Sequence, residues 1–76
     1  MTRFEVRIHK VKGEAGDLPE PLPFIIPEVL FLHGGQHYNA LLRAFAIEAL
    51  WDSDWCPQSV AWRVYSNGIP LGVGED

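Results

Sequence analysis

The side chains of this 76-residue chain that could bind a metal ion are three histidines, one cysteine and a group of carboxylates. His33 and His37 stand four residues apart, but the intervening Gly34-Gly35 pair favours a break in any helix that would align them. Zinc sites use four ligands at short paired spacings, whereas the remaining borderline or soft ligands are His9 and Cys56, and the alternative site would add Cys56 or Asp54 to the pair. We therefore interpret both histidines as turn and helix-entry residues. A metal-dependent site at His33 and His37 is the minor alternative.

The side chains that could perform acid–base or nucleophilic chemistry are equally sparse. Glu48, Asp52 and Asp54 form an acidic cluster, but without the spacing of a calcium-binding loop, and a solvated helix end explains them. Cys56 has no basic neighbour to lower its thiol pKa, so we expect a buried small hydrophobe. No G-x-S-x-G motif accompanies the serines. We predict a protein that is not an enzyme and has no catalytic residue, cofactor or metal.

Charge is distributed unevenly along the chain. Residues 1–12 contain four cations and one carboxylate, whereas residues 13–76 contain two cations and nine carboxylates, and the net charge is −4. An acidic chain of this kind lacks the excess basic charge of a nucleic-acid-binding protein. We therefore expect no direct contact with nucleic acid.

Length and apolar content indicate a single globular domain over residues 1–76. The longest apolar run, FIIPEVLFL, is interrupted by Pro27 and Glu28 and is too short to span a membrane. The N-terminus lacks the apolar core of a secretory signal, and a single cysteine allows no internal disulfide. These features predict a cytoplasmic protein without a membrane partner.

The stretch His37–Trp51 has the composition of a helix and is apolar around almost its whole circumference. A helix of this kind is normally buried on more than one side, and Asn39 is its predicted N-cap. At about 100° per residue, the predicted sheet-facing side consists of Tyr38, Leu41, Leu42, Phe45 and Ala49. The predicted outer side consists of Ala40, Ala44, Ile47, Leu50 and Trp51.

Strand-like segments lie on both sides of this helix. Phe4, Val6 and Ile8 alternate with polar residues, which predicts a strand with one face on a core. A proline- and glycine-rich loop is predicted over Lys12–Pro23. A second strand is predicted at Glu28–Leu32, with Phe24–Ile26 as an irregular lead-in because Pro27 cannot donate to a ladder.

Asn67-Gly68 between two β-rich segments predicts a hairpin with a type I′ turn, joining Ser59–Ser66 to Ile69–Val73. A two-residue turn pairs Ser66 with Ile69, Val64 with Leu71 and Trp62 with Val73. The face predicted for the core consists of Val60, Trp62, Val64, Ile69, Leu71 and Val73. Pro70 makes the last strand an edge strand.

Together these segments predict an α+β fold of ββαββ order. A small antiparallel sheet of about four strands, with one helix packed on one face, is the simplest arrangement that buries the apolar sides. The sequence leaves the order of the strands in the sheet open.

The chain has more large apolar side chains than one small core requires, which indicates an interaction surface. We predict a small protein-binding module that self-associates, forming a homodimer, through the outer side of the helix. The predicted partner-binding residues are Ile47, Leu50, Trp51 and Trp55. One alternative is that the loop Lys12–Pro23 covers these side chains. Another is a regulatory accessory or inhibitor protein, of the type phages encode, that binds a larger nucleic-acid-handling complex.

Overall fold

A computed structural model of the chain describes residues 2–13, 16–28, 30 and 38–76. Within them lie the strands β1 (Thr2–Val11), β2 (Leu22–Ile26), β3 (Val60–Ser66) and β4 (Ile69–Glu75). The helix α1 spans Tyr38–Asp52, and a single 3-10 turn at Pro57–Ser59 leads into β3. The predicted α+β class and ββαββ order are confirmed.

The four strands form one antiparallel sheet in the order β2-β1-β3-β4. β1 is therefore a central strand, and Val6 pairs with Leu22 on one side and with Val64 on the other. His9 lies at a β-bulge, because the pairing of β1 with β3 shifts between Ile8 and Lys10. A bulge bends a strand and increases its twist.

The core lies between one face of the sheet and α1. Alternate residues of β1 point into it, as the sequence pattern predicts. Burying each large apolar side chain contributes about 1.5–3 kcal/mol relative to leaving it in water. The buried cluster consists of Phe4, Val6, Ile8, Ile26, Leu42, Ala46, Leu50, Val60, Trp62, Val64 and Val73.

The second strand lies earlier in the chain than the sequence pattern predicts. β2 is Leu22–Ile26, so the predicted irregular lead-in is itself strand. Phe24 stacks on Phe4 with ring centroids 5.5 Å apart, and this cross-strand contact fixes β2 against β1. The predicted strand at Glu28–Leu32 is wrong for Glu28, which lies in a turn, and for Leu30, which is helical and whose N–H donates to the Pro27 carbonyl at 3.0 Å. Residues 29, 31 and 32 are outside the described residues.

The loop before β2 also ends earlier than predicted, at Pro21, because Leu22 and Pro23 belong to the strand. β2 occupies one edge of the sheet. A proline can occupy such a strand because an edge strand needs ladder donors on one side only.

The helix has close to its predicted length, but the sheet meets a different side of it. Leu42, Ala46 and Leu50 are its fully buried residues, and a spacing of four residues advances by only about 40° around a helix. Leu50, predicted to lie on the outer side, is 0% exposed, whereas Tyr38, predicted to face the sheet, is 38% exposed. Because the helix is apolar around almost its whole circumference, several of its sides could face a core, and the sequence pattern does not identify which side does.

The predicted start of the helix requires a smaller correction. Asn39 lies inside α1 rather than before it, so it is not the N-cap. His37 is outside the described residues. The C-terminal boundary at Asp52 lies one residue beyond the predicted Trp51.

The hairpin has the predicted type I′ turn, with positive φ angles of 52° at Asn67 and 79° at Gly68. Ser66 pairs with Ile69 as predicted, but the register then shifts between Tyr65 and Arg63. Trp62 therefore pairs with Glu75 rather than with Val73.

Two glycines of β4 account for this shift. Gly72 has a φ of 76°, and a Cβ on Gly74 would lie 2.2 Å from the Trp62 carbonyl oxygen. A shift of two residues preserves the alternation of faces, so Val73 remains in the core. Ile69, predicted for the core face, is 63% exposed.

Candidate protein-binding surface

The C-terminal end of α1 is closed by a Schellman motif. The Trp55 N–H donates to the Leu50 carbonyl at 2.8 Å, and the Asp54 N–H donates to the Trp51 carbonyl at 3.0 Å. Asp54 has the left-handed φ of 64° that this motif needs at its C′ position. Trp55 then packs on the core that contains Leu50, which is the apolar contact usual in such motifs.

Trp51 is the residue that this helix end presents to solvent. Its side chain is 57% exposed, because its position on the helix is opposite that of Leu42, which faces the sheet. Arg43, Ile47 and Trp51 follow each other at intervals of four residues and so form a row along one side of α1. Trp51 lies at the solvent-facing end of this row.

A groove of about 460 Å³ runs beside this row. Its walls come from α1, from the segment before β3 and from the end of β4. The residues that line it include Arg43, Ile47, Trp51, Cys56, Trp62 and Glu75. We call this groove with Trp51 the Trp51 surface.

Arg43 connects the two sides of the groove. Its guanidinium donates to the Gly74 carbonyl at 3.2 Å and forms an ion pair with Glu75. It also lies 5.5 Å from the centroid of the Trp62 ring, within the range of a cation–π interaction. These contacts hold α1 against β4 and fix the floor of the groove.

The indole N–H of Trp62 has no partner among the described residues, although the side chain is fully buried. A buried donor without an acceptor costs about 1–3 kcal/mol. The packing of the large ring in the core outweighs that cost.

Cys56 is half-buried at the edge of the groove, whereas the sequence predicts a buried hydrophobe. The backbone amide of Gln58 and the hydroxyl of Ser59 lie near the sulfur and lower the pKa of the Cys56 thiol. Both groups stabilise the thiolate as hydrogen-bond donors. Lys12 also lines the groove and donates to the Gln58 carbonyl at 3.1 Å.

The acidic cluster Glu48, Asp52 and Asp54 is exposed to solvent, as expected for a solvated helix end. None of the three forms an ion pair with a cation in the described part of the chain. Glu48 and Asp52 lie on the β2 side of α1, whereas Trp51 lies on the groove side, so this negative charge is on one flank of Trp51.

The four predicted partner-binding residues do not form one patch. Trp51 is exposed, whereas Ile47 and Trp55 are partly buried and pack against the core. Leu50 is fully buried and cannot meet a partner without a rearrangement of the helix. The sequence analysis missed Arg43, although its spacing of four and eight residues from Ile47 and Trp51 would have indicated it.

The predicted alternative of a metal site rests on His33 and His37, which are outside the described residues. Among the residues that the structure describes, no three histidine, cysteine or acidic side chains are grouped closely enough to bind a metal ion. In the same residues, no helix has the length and apolarity required to cross a bilayer.

Comparison of the chain with protein-family models, with curated proteins and with solved structures gave no significant match.

Proposed function

We propose that this protein is a small non-catalytic interaction module that binds another protein, including a second copy of itself, through the Trp51 surface. The observation that carries the proposal is the 57% exposure of Trp51 next to a groove that is already shaped. Tryptophan and arginine are the residues most enriched at the energetic centres of protein interfaces. The row of Arg43, Ile47 and Trp51 supplies both types together with an aliphatic neighbour.

The rigidity of the surface supports the same function. Arg43 is held by Gly74 and Glu75, and the Schellman motif fixes the backbone that follows Trp51. Side chains that are already ordered lose less conformational entropy when a partner binds. An exposed tryptophan on such a framework is therefore a favourable anchor.

We further propose that the protein acts in the cytoplasm, where an unpaired cysteine is ordinary. An accessory or inhibitory role in a larger complex would use the same surface with a different occupant. Self-association and an accessory or inhibitory role therefore differ in which protein binds the Trp51 surface, while the surface itself is the same.

The Trp51→Ala variant tests the proposal. Because Trp51 is largely exposed, its loss should change the free energy of unfolding by less than about 0.5 kcal/mol. It should weaken association by about 2 kcal/mol or more, as the loss of an interface anchor does. Urea denaturation and sedimentation equilibrium measure the two quantities on the same sample.

Ile69→Ala is the matched control, because Ile69 is 63% exposed and lies in the β3–β4 hairpin outside the groove. This variant should leave both stability and association unchanged. Equal weakening by the two substitutions would show that general surface hydrophobicity drives association, and an unfolded Trp51→Ala protein would assign Trp51 to the core. Either result contradicts the proposal.

A further inference from the structure

The sheet has a second face, opposite to α1, whose side chains follow the alternate positions of β1 and β3. Glu5 pairs with Tyr65 and Arg7 with Arg63 across these strands, so their side chains share that face. Lys10 joins them because it pairs with Ala61 after the bulge. We define the open-face cluster as Arg3, Glu5, Arg7, Lys10, Arg63 and Tyr65.

The open-face cluster is basic although the chain as a whole is acidic. It contains four cations, which face the carboxylates of Glu5 and the nearby Asp76. Arg7 donates to Glu5 at 2.8 Å through Nε, and Arg63 lies 3.3 Å from Asp76. The exposed side chains of Arg3 and Lys10 have no carboxylate partner among the described residues.

The cluster also presents an ordered aromatic group. The Arg7 guanidinium lies over the Tyr65 ring at 4.2 Å from its centroid, and His9 meets the ring edge-on at 6.2 Å. A guanidinium packed on an aromatic ring is held flat and can take a second ring on its other side.

The opposite side of the molecule has the complementary character. Glu48, Asp52 and Asp54 lie at the same end of α1 as the exposed Trp51 and lack cation partners in the described part of the chain. The sheet separates this acidic helix end from the open-face cluster, so the two cannot meet within one molecule. They can meet between two molecules.

We infer that a second copy of this chain docks its acidic helix end, with Trp51, on the open-face cluster. The inference rests on the proposed function and names the receptor for the Trp51 surface. In this arrangement the carboxylates of Glu48 and Asp52 face the basic side chains of the cluster, while the Trp51 ring packs on the outer face of the Arg7 guanidinium. The contact is heterologous, so it produces head-to-tail chains or closed rings rather than a symmetric pair.

A basic sheet face with an aromatic residue could also bind single-stranded nucleic acid. Two observations favour the protein partner. The chain carries a net charge of −4, whereas nucleic-acid-binding proteins have an excess of basic charge. Glu5 also stands within the cluster and pairs with Arg7, where it would repel a phosphate backbone.

Two charge-reversal variants test the inference. The sheet variant is Arg3→Glu with Lys10→Glu, which leaves the Arg7–Glu5 and Arg63–Asp76 pairs intact. The helix variant is Glu48→Lys with Asp52→Lys, which leaves the left-handed Asp54 unchanged. All four positions are exposed, so circular dichroism and urea denaturation should show both variants folded.

Each variant alone should associate at least about tenfold more weakly than the wild type in sedimentation velocity, because like charges then face each other. An equimolar mixture should recover the wild-type association, since each reversed surface then meets an opposite charge. Wild-type association should weaken as salt shortens the Debye length from about 10 Å at 0.1 M to about 3 Å at 1 M.

The remaining outcomes are distinct. If Trp51→Ala weakens association but both charge variants associate as the wild type does, the proposed function stands and the head-to-tail contact is wrong. A mixture that stays monomeric also overturns the inference.

Binding of an oligothymidylate by the wild type, lost in the sheet variant, would reassign the open-face cluster to nucleic acid. A wild type that remains monomeric overturns both the head-to-tail contact and the self-association in the proposed function.

Discussion

Two tryptophans of this chain show how strongly position decides what a residue does. Trp62 is fully buried in β3 and forms the floor of the groove, whereas Trp51 is largely exposed on α1. Both directly follow two apolar residues in the sequence, yet one contributes to folding and the other is available to a partner. The difference follows from which side of each element faces the core.

Trp62 stabilises the core through its packing and destabilises it through its unpartnered indole N–H, and substitution can separate the two contributions. Trp62→Phe removes atoms from the core, which costs stability, but it also removes the unpartnered indole N–H. Because that donor costs about 1–3 kcal/mol when buried alone, we expect a net loss of no more than about 1.5 kcal/mol. Trp62→Ala should cost about 3–5 kcal/mol. Urea denaturation of both variants measures these losses.

Ile26→Val is the matched control, because Ile26 is fully buried and has no polar side-chain atom. It should cost about 0.5–1.5 kcal/mol, a loss similar to that of Trp62→Phe although far fewer atoms are removed. A loss of 3 kcal/mol or more on Trp62→Phe would be as large as an ordinary truncation of a buried aromatic. That result would show that the indole N–H is satisfied in solution.

At the scale of the elements, the end of α1 is the feature with the clearest local strain. Asp54 occupies a left-handed conformation that glycine adopts at little cost. Its carboxylate also lies at the negative end of the helix dipole. Both the backbone conformation and the charge of Asp54 are therefore unfavourable at this helix end.

Asp54→Gly should stabilise the protein by about 0.5–1 kcal/mol, because it relieves the left-handed strain and removes the unfavourable charge. Asp54→Asn isolates the charge, since asparagine tolerates the same conformation, and it should gain about 0.3 kcal/mol or slightly more. Thermal and urea denaturation of the three proteins give the comparison.

Asp54→Ala provides the opposite control. It removes the charge but keeps a β-carbon where φ is positive, so it should be less stable than the glycine variant by about 1 kcal/mol. Equal stabilities of the glycine and alanine variants would mean that the Schellman motif does not form in solution.

At the scale of the whole molecule, the strand order determines where stability is concentrated. β1 and β3 each have a partner on both sides, whereas β2 and β4 form the two edges. The bulges at His9 and in β4 also interrupt the ladders away from the middle of β1. Amide protection should therefore be highest at the crossing of β1 and β3.

Native-state hydrogen exchange tests this order. The amides of β1 and β3 around the paired residues Val6 and Val64 should exchange most slowly, at rates that approach global unfolding. Amides of β4 beyond the shift at Gly72 should exchange faster through local opening. Slowest exchange in β4 would contradict the central position of β1 and β3.

Local sequence signals predict the kind of element correctly at most positions of the described chain. The alternation of Phe4, Val6 and Ile8 specifies a strand with one buried face. Asn67-Gly68 specifies the type I′ turn, since few other pairs adopt two positive φ angles in succession. The continuous helical composition of the segment that became α1 specified a helix and placed its end within one residue.

Which sides of these elements meet depends instead on packing between segments that are distant in the chain. α1 is apolar all round, so the sheet selected Leu42, Ala46 and Leu50 as the inner side and left Trp51 outside. The position of β2 depended on the cross-strand contact of Phe24 with Phe4, and the register of β4 on the close approach of Gly74 to Trp62. The separation of the basic open-face cluster from the acidic helix end likewise comes from stacking the helix on the sheet. Contacts between distant segments set all of these features, and no local pattern encodes them.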